Sequence, residues 1–378
     1  MTKHNLFQTC ILLGEKMYAF TTFGNLPVIV DLQKEEMCFS EDLEGYQAFA
    51  ADEMVSDGEN IYALELTGER LLHYNVHEKK CFYINLDCHG MDWDNYAEFN
   101  QYGNCLYIFP RYKKGMLKIN VSDNMITRNT NLYHDIDKSA NGSEDKPYFQ
   151  CGCHFKNVVW LYRAQDNLLI AYDMGQEKWK KYALSEKIKN CVHMTVRKDV
   201  LYLLSSEGTI YCWNIADHFV EKCIDCSEGT EDAFYRLIVT DRKIYLLPGF
   251  GEKIVQVSMD TGEKNIYNDY PEKFQYLNVE GWSTYCGYCE NEEYYFLAMR
   301  LSEYILRISK CDGTIKWMKP KFPLLDSYRR TYIKYHDLMY ENELQLKDLL
   351  IHINHEDYRQ GSERIADGDM IWNQLKSG

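Results

Sequence analysis

Four residues of this sequence, Glu53, Glu98, His193 and Arg236, are of the types that transfer protons or hold anions, and they recur at nearly regular separations. With Thr9, Cys151 and Cys286 they make a column of seven, spaced by 44, 45, 53, 42, 43 and 50 residues. Two carboxyl groups brought side by side shift each other's pKa, and a histidine next to a glutamate can act as a general base. Arginine presents a planar fork of donors that fits a carboxylate or a phosphate. A second set of corresponding positions adds Arg111, Arg163 and Arg300, with Glu65 in the second unit. The residues one step beyond the column, such as Met54, Phe99, Met194 and Leu237, are apolar or small. That alternation is the pattern of a strand with one polar and one packed side. The plainer account of the column is that its polar groups satisfy one another and water.

The elements that would position these residues are legible as a repeat, which is the first thing to seek in a chain of this length. An apolar residue followed by Tyr or Trp opens a short apolar run at Met17-Tyr18, Ile61-Tyr62, Leu106-Tyr107, Val159-Trp160, Leu201-Tyr202, Ile244-Tyr245 and Tyr294-Tyr295. Thirteen to fifteen residues after the start of each pair stand Asp31, Asn75, Asn120, Asp173, Asn214, Ser258 and Ser309. Each of these carries a side-chain oxygen able to cap a turn by accepting from backbone N–H groups two or three residues on. Two columns in step over seven units predict a four-stranded unit: strand A, tight turn, strand B with its Tyr, loop, strand C, capped turn, strand D. Period-two alternation and aromatic enrichment favour strands over helices.

The segment LLIAYDMGQEKWKKY from residue 168 resembles a Kelch repeat, GTIYCWNI from 208 resembles a WD40 strand, and VSMDTGEK from 257 resembles a quinoprotein-type repeat. The paired glycines of Kelch and the Gly-His and Trp-Asp signatures of WD40 are missing. The resemblance is to bacterial β-propeller repeats as a class, over residues 4–322, and it names no activity. It implies an all-β, seven-bladed propeller of four-stranded antiparallel blades, the common closed solution for such repeats. It also implies a ligand face at one end of the central channel, built from the D–A loops, the B–C loops and the starts of the A strands. Three D–A loops are elaborated, at 87–96, 129–148 and 268–283, and carry Trp93, Tyr96, Tyr148, Tyr270, Phe274 and Trp282. Long loops on a compact scaffold are where binding residues concentrate. The expected ligand-binding set is therefore Glu53, Glu98, Arg111, Cys151, Arg163, His193, Arg236, Cys286 and Arg300 with Trp93, Tyr148 and Trp282. Glu53, Glu98 and His193 are the catalytic candidates should the protein be an enzyme.

Beyond the two prolines at 320 and 323 the repeat stops, and 325–378 shows helical spacing, with Leu346, Leu349, Leu350 and Ile353 on one apolar face. This second region is expected to be a helical tail that docks on the propeller or pairs with another chain. The 378 residues carry 57 acidic against 42 basic side chains, a net charge of -15, which argues against nucleic-acid or anionic-membrane partners. No apolar run is long enough to span a bilayer. The opening segment, interrupted by Glu15 and Lys16, does not read as a signal peptide. The 14 cysteines are then expected to be reduced thiols in a cytoplasm. Cys223-x-x-Cys226 and Cys286-x-x-Cys289 are too far apart in the blade register, rim against axis, to share one zinc ion. Neither metal nor cofactor is expected. The function that follows is recognition of a partner protein, peptide or polar small molecule. The alternatives are a lyase, hydrolase or epimerase acting on a sugar-like or anionic substrate, and a structural assembly subunit.

Overall fold

The computed structural model describes residues 7–321, apart from the segments 21–26, 41–42, 87–95, 112–114, 130–148, 186–187, 227–233, 250–253, 275–283 and 300–303 and the single positions 48, 50, 67, 189 and 273. The predicted tail, 325–378, lies outside the described residues. Twenty-eight strands form seven four-stranded antiparallel sheets, each following chain order. Blade one is β1 (Thr9–Leu13), β2 (Lys16–Phe20), β3 (Pro27–Asp31) and β4 (Glu36–Phe39). The other blades open with β5 (Ala51–Ser56), β9 (Tyr96–Tyr102), β13 (Cys151–Phe155), β17 (Cys191–Arg197), β21 (Phe234–Val239) and β25 (Tyr285–Glu290). These first strands are neighbours in space, β1 lying beside both β5 and β25, so they ring a central axis. The chain is a seven-bladed β-propeller.

The capping column makes the C–D turns as expected from its chemistry. Asp31 Oδ1 accepts from the N–H groups of Gln33 and Lys34 at 3.1 and 3.0 Å, and Asn75, Asp173 and Asn214 do the same two and three residues on. Asn120 and Ser258 each accept one such bond. Four residues past each cap the backbone turns left-handed, at Glu35, Lys79, Asn124, Glu177, His218, Gly262 and Gly313. Only two of those seven are glycine, so the remaining five hold a conformation that is uncommon for a residue with a side chain.

The Tyr column is buried between blades. Tyr62, Tyr107, Tyr245 and Tyr295 are each at most 5% exposed. A phenol so placed must find an acceptor. Tyr295 donates to the Val239 carbonyl at 2.7 Å and Tyr107 to the Met174 carbonyl at 3.3 Å, both across a blade boundary, and Tyr245 donates to the Gly313 carbonyl across another. Tyr62 instead turns to Asp57 of its own blade at 3.0 Å. The partly buried Arg197–Asp241 ion pair, at 2.8 Å, also crosses a blade boundary, but solvent-accessible pairs are worth ~1 kcal/mol or less.

Each blade is contiguous in sequence, so no strand is shared across the seam between blades seven and one. Closure uses other contacts. After β28 (Ile315–Met318), Lys321 pairs in parallel with Glu36 of β4: Met37 N–H donates to Lys321 O at 3.1 Å, and Lys321 N–H to Glu35 O at 2.7 Å. Near the axis Cys10 Sγ lies 3.7 Å from Cys289 Sγ. A Cβ on Gly287 would stand 3.0 Å from both Cys10 Sγ and the Ala298 Cβ, so a side chain there would press on Cys10 across the seam.

Candidate functional site

The strand register shows which residues share a level at the axis. Pairing of each first strand with its second puts Thr9 opposite Phe20, Glu98 opposite Phe109, Cys151 opposite Tyr162, His193 opposite Leu204 and Arg236 opposite Leu247. In every case the partner lies three residues beyond the start of the aromatic pair. Glu53 belongs to the same level, in the irregular stretch between Ala51 and Met54. In blade seven the member at this level is Tyr288, opposite Leu297, and not Cys286. The reason is the A–B hairpin, which is two residues shorter there: Glu290 faces Tyr295, whereas Ile238 faces Tyr245 in blade six. Cys286 sits one step out in an irregular stretch, its Sγ 2.9 Å from the Phe7 carbonyl of blade one.

Four of the seven first strands carry a register shift at this level, between Ala51 and Met54, Glu98 and Tyr96, Cys191 and His193, and Phe234 and Arg236, and blade seven carries one just before it, between Tyr285 and Gly287. A bulge adds a residue to one strand, bends it and re-aims the next side chain, a device common beside functional sites. Here it falls next to Glu53, Glu98, His193, Arg236 and Cys286.

The side chains at this level act on one another across the axis. The Glu53 carboxyl is held well above its ordinary range by burial first, then by the charges of Asp52 and Glu98; Arg111 and Arg236 only partly offset this. Arg236 comes from blade six, on the far side of the ring from Glu53 in blade two. Its guanidinium lies 4.9 Å from the Tyr288 ring centroid and 5.7 Å from that of Tyr235. Arg236 Nε is buried without a hydrogen-bond partner among the described residues, and so is His193 Nδ1. Burial, then the positive charge of Arg236, drives the His193 pKa well below its ordinary value, which leaves the imidazole neutral.

Lower in the channel Glu98 has a second partner. Glu98 Oε1 lies 3.1 Å from His154 Nδ1 and accepts from Asn100 Nδ2 at 3.3 Å. The His154 side chain is 55% exposed; partial desolvation within the channel opposes its charge, but the Glu98 hydrogen bond and charge, with Glu290 from blade seven, outweigh it and raise the pKa. Gly152 makes this contact possible, because a Cβ there would lie 2.9 Å from the Ala97 carbonyl and 2.9 Å from the Glu98 Cβ. The strands β9 and β13 therefore approach closely only because that position is bare.

Other expected site residues are committed elsewhere. Arg163 is 2% exposed and donates from Nε to Asp166 at 2.7 Å, closing its own B–C turn. Glu65 holds Arg70 in the same manner in blade two. Cys151 is buried, with its Sγ 3.3 Å from the Cys191 Sγ of the next blade. Tyr270 and Phe274, expected on the channel face, stack on each other at 5.5 Å and pack on Trp317 of β28, on the outermost strand of blade seven. Arg300, Trp93, Tyr148 and Trp282 lie outside the described residues. Cys223 lies in β20 (Phe219–Asp225), the outer strand of blade five, and Cys289 in an innermost strand. Among the described residues no three His, Cys, Asp or Glu side chains form a metal-sized group.

The residues not anticipated for the channel are Tyr288, Glu290 and His154. His154 stands in Cys151-Gly152-Cys153-His154, a spacing that reads as a possible metal-ligand set and gives no sign of a pairing with a glutamate 56 residues earlier. Chemically, the level around Arg236 offers donors to an anion, and the Glu98–His154 pair offers a charged acceptor–donor couple.

No family model matches the sequence, and no curated protein matches it. Among solved structures 1501 chains match, a breadth that identifies an architecture and not an activity. One is PorZ, described as an essential bacterial surface component of the type-IX secretion system of Porphyromonas gingivalis, with a TM-score of 0.54 and 11% identity. The match covers 84% of this chain and 38% of PorZ, so the chain spans well under half the length of that protein. A computationally designed protein, Ika8, matches over 84% of this chain and 98% of its own, at 9% identity and a TM-score of 0.49. Among the described residues no helix is long and apolar enough to cross a membrane. What this chain shares with PorZ is the propeller fold.

Proposed function

We propose that the chain is a recognition propeller that binds a polar small molecule or a peptide end at the channel mouth, on the side of the D–A and B–C loops. The observation that supports this reading is the unsatisfied state of polar groups on neighbouring blades. Arg236 Nε and His193 Nδ1 are buried without partners among the described residues, while across the axis the Glu53 carboxyl has its pKa held well above the ordinary range. Buried donors left unpaired cost ~1–3 kcal/mol each. A ligand that satisfies them recovers that cost on binding. A partner protein presenting such a group would use the same contacts. The reading includes a reducing, cytoplasmic compartment, in which Cys10, Cys151, Cys191 and Cys289 remain thiols.

A second reading, an enzyme acting on a sugar-like or anionic substrate, draws on the Glu98–His154 pair, whose geometry is that of an oriented base. The Kelch-like and WD40-like character of individual units belongs to repeat ancestry and adds no activity.

The test is native mass spectrometry after incubation with a small-molecule extract of the native host. The wild-type protein should retain a bound species that a Glu98→Gln, His193→Asn double variant, folded by circular dichroism, does not. Equal retention by the variant would sink this site, and so would retention of nothing by the wild type from the extract and from a peptide library.

A further inference from the structure

Resting on the reading of the channel as a ligand site, one feature of the mouth goes further and selects the ligand's chemistry. Arginine inside a protein is ordinarily paired with a carboxylate, because an isolated buried cation is costly. Arg236 is not: among the described residues it forms no ion pair, although Glu53 and Glu98 stand at the same level. It is held by aromatic faces instead, between Tyr288 of the next blade and Tyr235 of its own strand. Both rings lie within cation–π distance of the guanidinium carbon, a contact that offsets part of the cost of burying the charge without supplying an acceptor oxygen to its N–H donors. Tyr235 is 40% exposed, which places one side of this stack at the solvent edge of the mouth. On the neighbouring blade His193 brings a second buried nitrogen without a partner, and its charge state responds to Arg236, so the two are electrostatic neighbours.

We propose that this level of the channel takes an oxyanion, a carboxylate or phosphate group of the ligand, bound in the plane of the Arg236 guanidinium with the His193 imidazole as a second donor. The remaining groups at the mouth are arranged consistently with that occupant. Burial, with the charges of Asp52 and Glu98, raises the Glu53 pKa, so this carboxyl favours its protonated form and competes less for Arg236. Arg111 adds positive charge from the end of β10 (Cys105–Pro110). From blade seven Tyr288 faces the site, with Glu290 beneath it. Ionisation of Glu53 at higher pH would add a negative charge facing the oxyanion, so binding should weaken as pH rises through the raised Glu53 value.

The experiment titrates inorganic phosphate, and in a separate arm malonate, into the full-length protein at pH 6 and pH 8.5 by isothermal calorimetry, with chloride at matched ionic strength as the reference. The two arms separate a phosphate from a carboxylate preference. The wild type should bind at least one anion, more tightly at pH 6. Arg236→Gln should weaken it roughly 10-fold or more, the cost of one lost charge-assisted contact. Arg236→Lys, which keeps the charge without the fork, should fall between the two and serves if the glutamine variant does not fold. Because phosphate itself gains charge between these pH values, the Glu53 effect is read against Glu53→Gln: the ratio of affinity at pH 6 to affinity at pH 8.5 should be larger for the wild type than for the variant. The proposal is overturned if neither anion binds above the chloride reference, or if Arg236→Gln binds as tightly as wild type. If neither anion binds while a species from the host extract is still retained, the oxyanion assignment fails and the channel remains a ligand site.

Discussion

Replacing Glu53 by Gln removes an ionisable group that the fold keeps protonated, and its effect on stability has a definite sign. In the unfolded chain this carboxyl releases its proton around the ordinary value of 4.5, while in the folded protein burial and the charges of Asp52 and Glu98 hold the proton well above that. Between those two values the folded state binds one proton more than the unfolded state. Stability therefore falls as pH rises through that window, by about 1.4 kcal/mol per pH unit for one proton. Within that window this group destabilises the wild type as pH rises, and it takes nothing from the glutamine variant, which is close in shape and uncharged. Urea unfolding of both proteins at pH 5, 6 and 7 measures the difference. The gap between variant and wild type should widen in favour of the variant with each step. Parallel curves with a constant gap would refute the placement of Glu53 in an enclosed site among like charges.

Two further outcomes follow from single contacts. Glu98→Gln should lower the His154 pKa, since the charge and hydrogen bond that raise it above 6.5 are weakened while burial, which lowers it, remains. Proton NMR of the imidazole gives the value, and an unchanged titration would remove Glu98 as its cause. In the wild type the stabilisation from this pair is complete below about 6.5 and is lost as pH rises through the raised folded value, a sign opposite to the usual carboxylate case. Tyr295→Phe should cost ~1–2 kcal/mol by leaving the buried Val239 carbonyl across the blade boundary without its 2.7 Å bond. Chemical denaturation measures this, and a loss under a few tenths of a kcal/mol would show that the bond does not hold blades six and seven together.

The sequence carried the architecture because each blade is a local structure. The Tyr column and the capping column are set by contacts within about fifteen residues, and such short-range chemistry repeats visibly in the chain. Asp31, Asn75, Asp173 and Asn214 cap the turns they were expected to cap, since an Asx side chain reaches only its own next two or three N–H groups. Register counted backward from strand B placed Glu53, Glu98, Cys151, His193 and Arg236 at one level for the same reason: six of the seven hairpins have the same length. The seventh is shorter, and a count that assumes equal hairpins selected Cys286 where Tyr288 stands.

Contacts between blades were not legible. The pairing of Glu98 with His154 joins residues 56 apart and depends on a bare Gly152 between two strands, which spacing alone cannot rank above metal ligation. Position places Arg163 in the expected ligand-binding set, yet it pairs with Asp166 three residues on, a choice decided by how tightly the turn closes. Tyr270 and Phe274 sit in an elaborated loop, but the free energy of burying them against Trp317 draws them to the rim. By itself, then, the sequence determined the repeat, the blade and the level at which polar groups gather, because these arise from local hydrogen bonding and period-two patterning. Only the closed ring decided which of those groups face each other across the axis and which remain unpaired, because burial and opposing charge exist there only once seven blades enclose the same space.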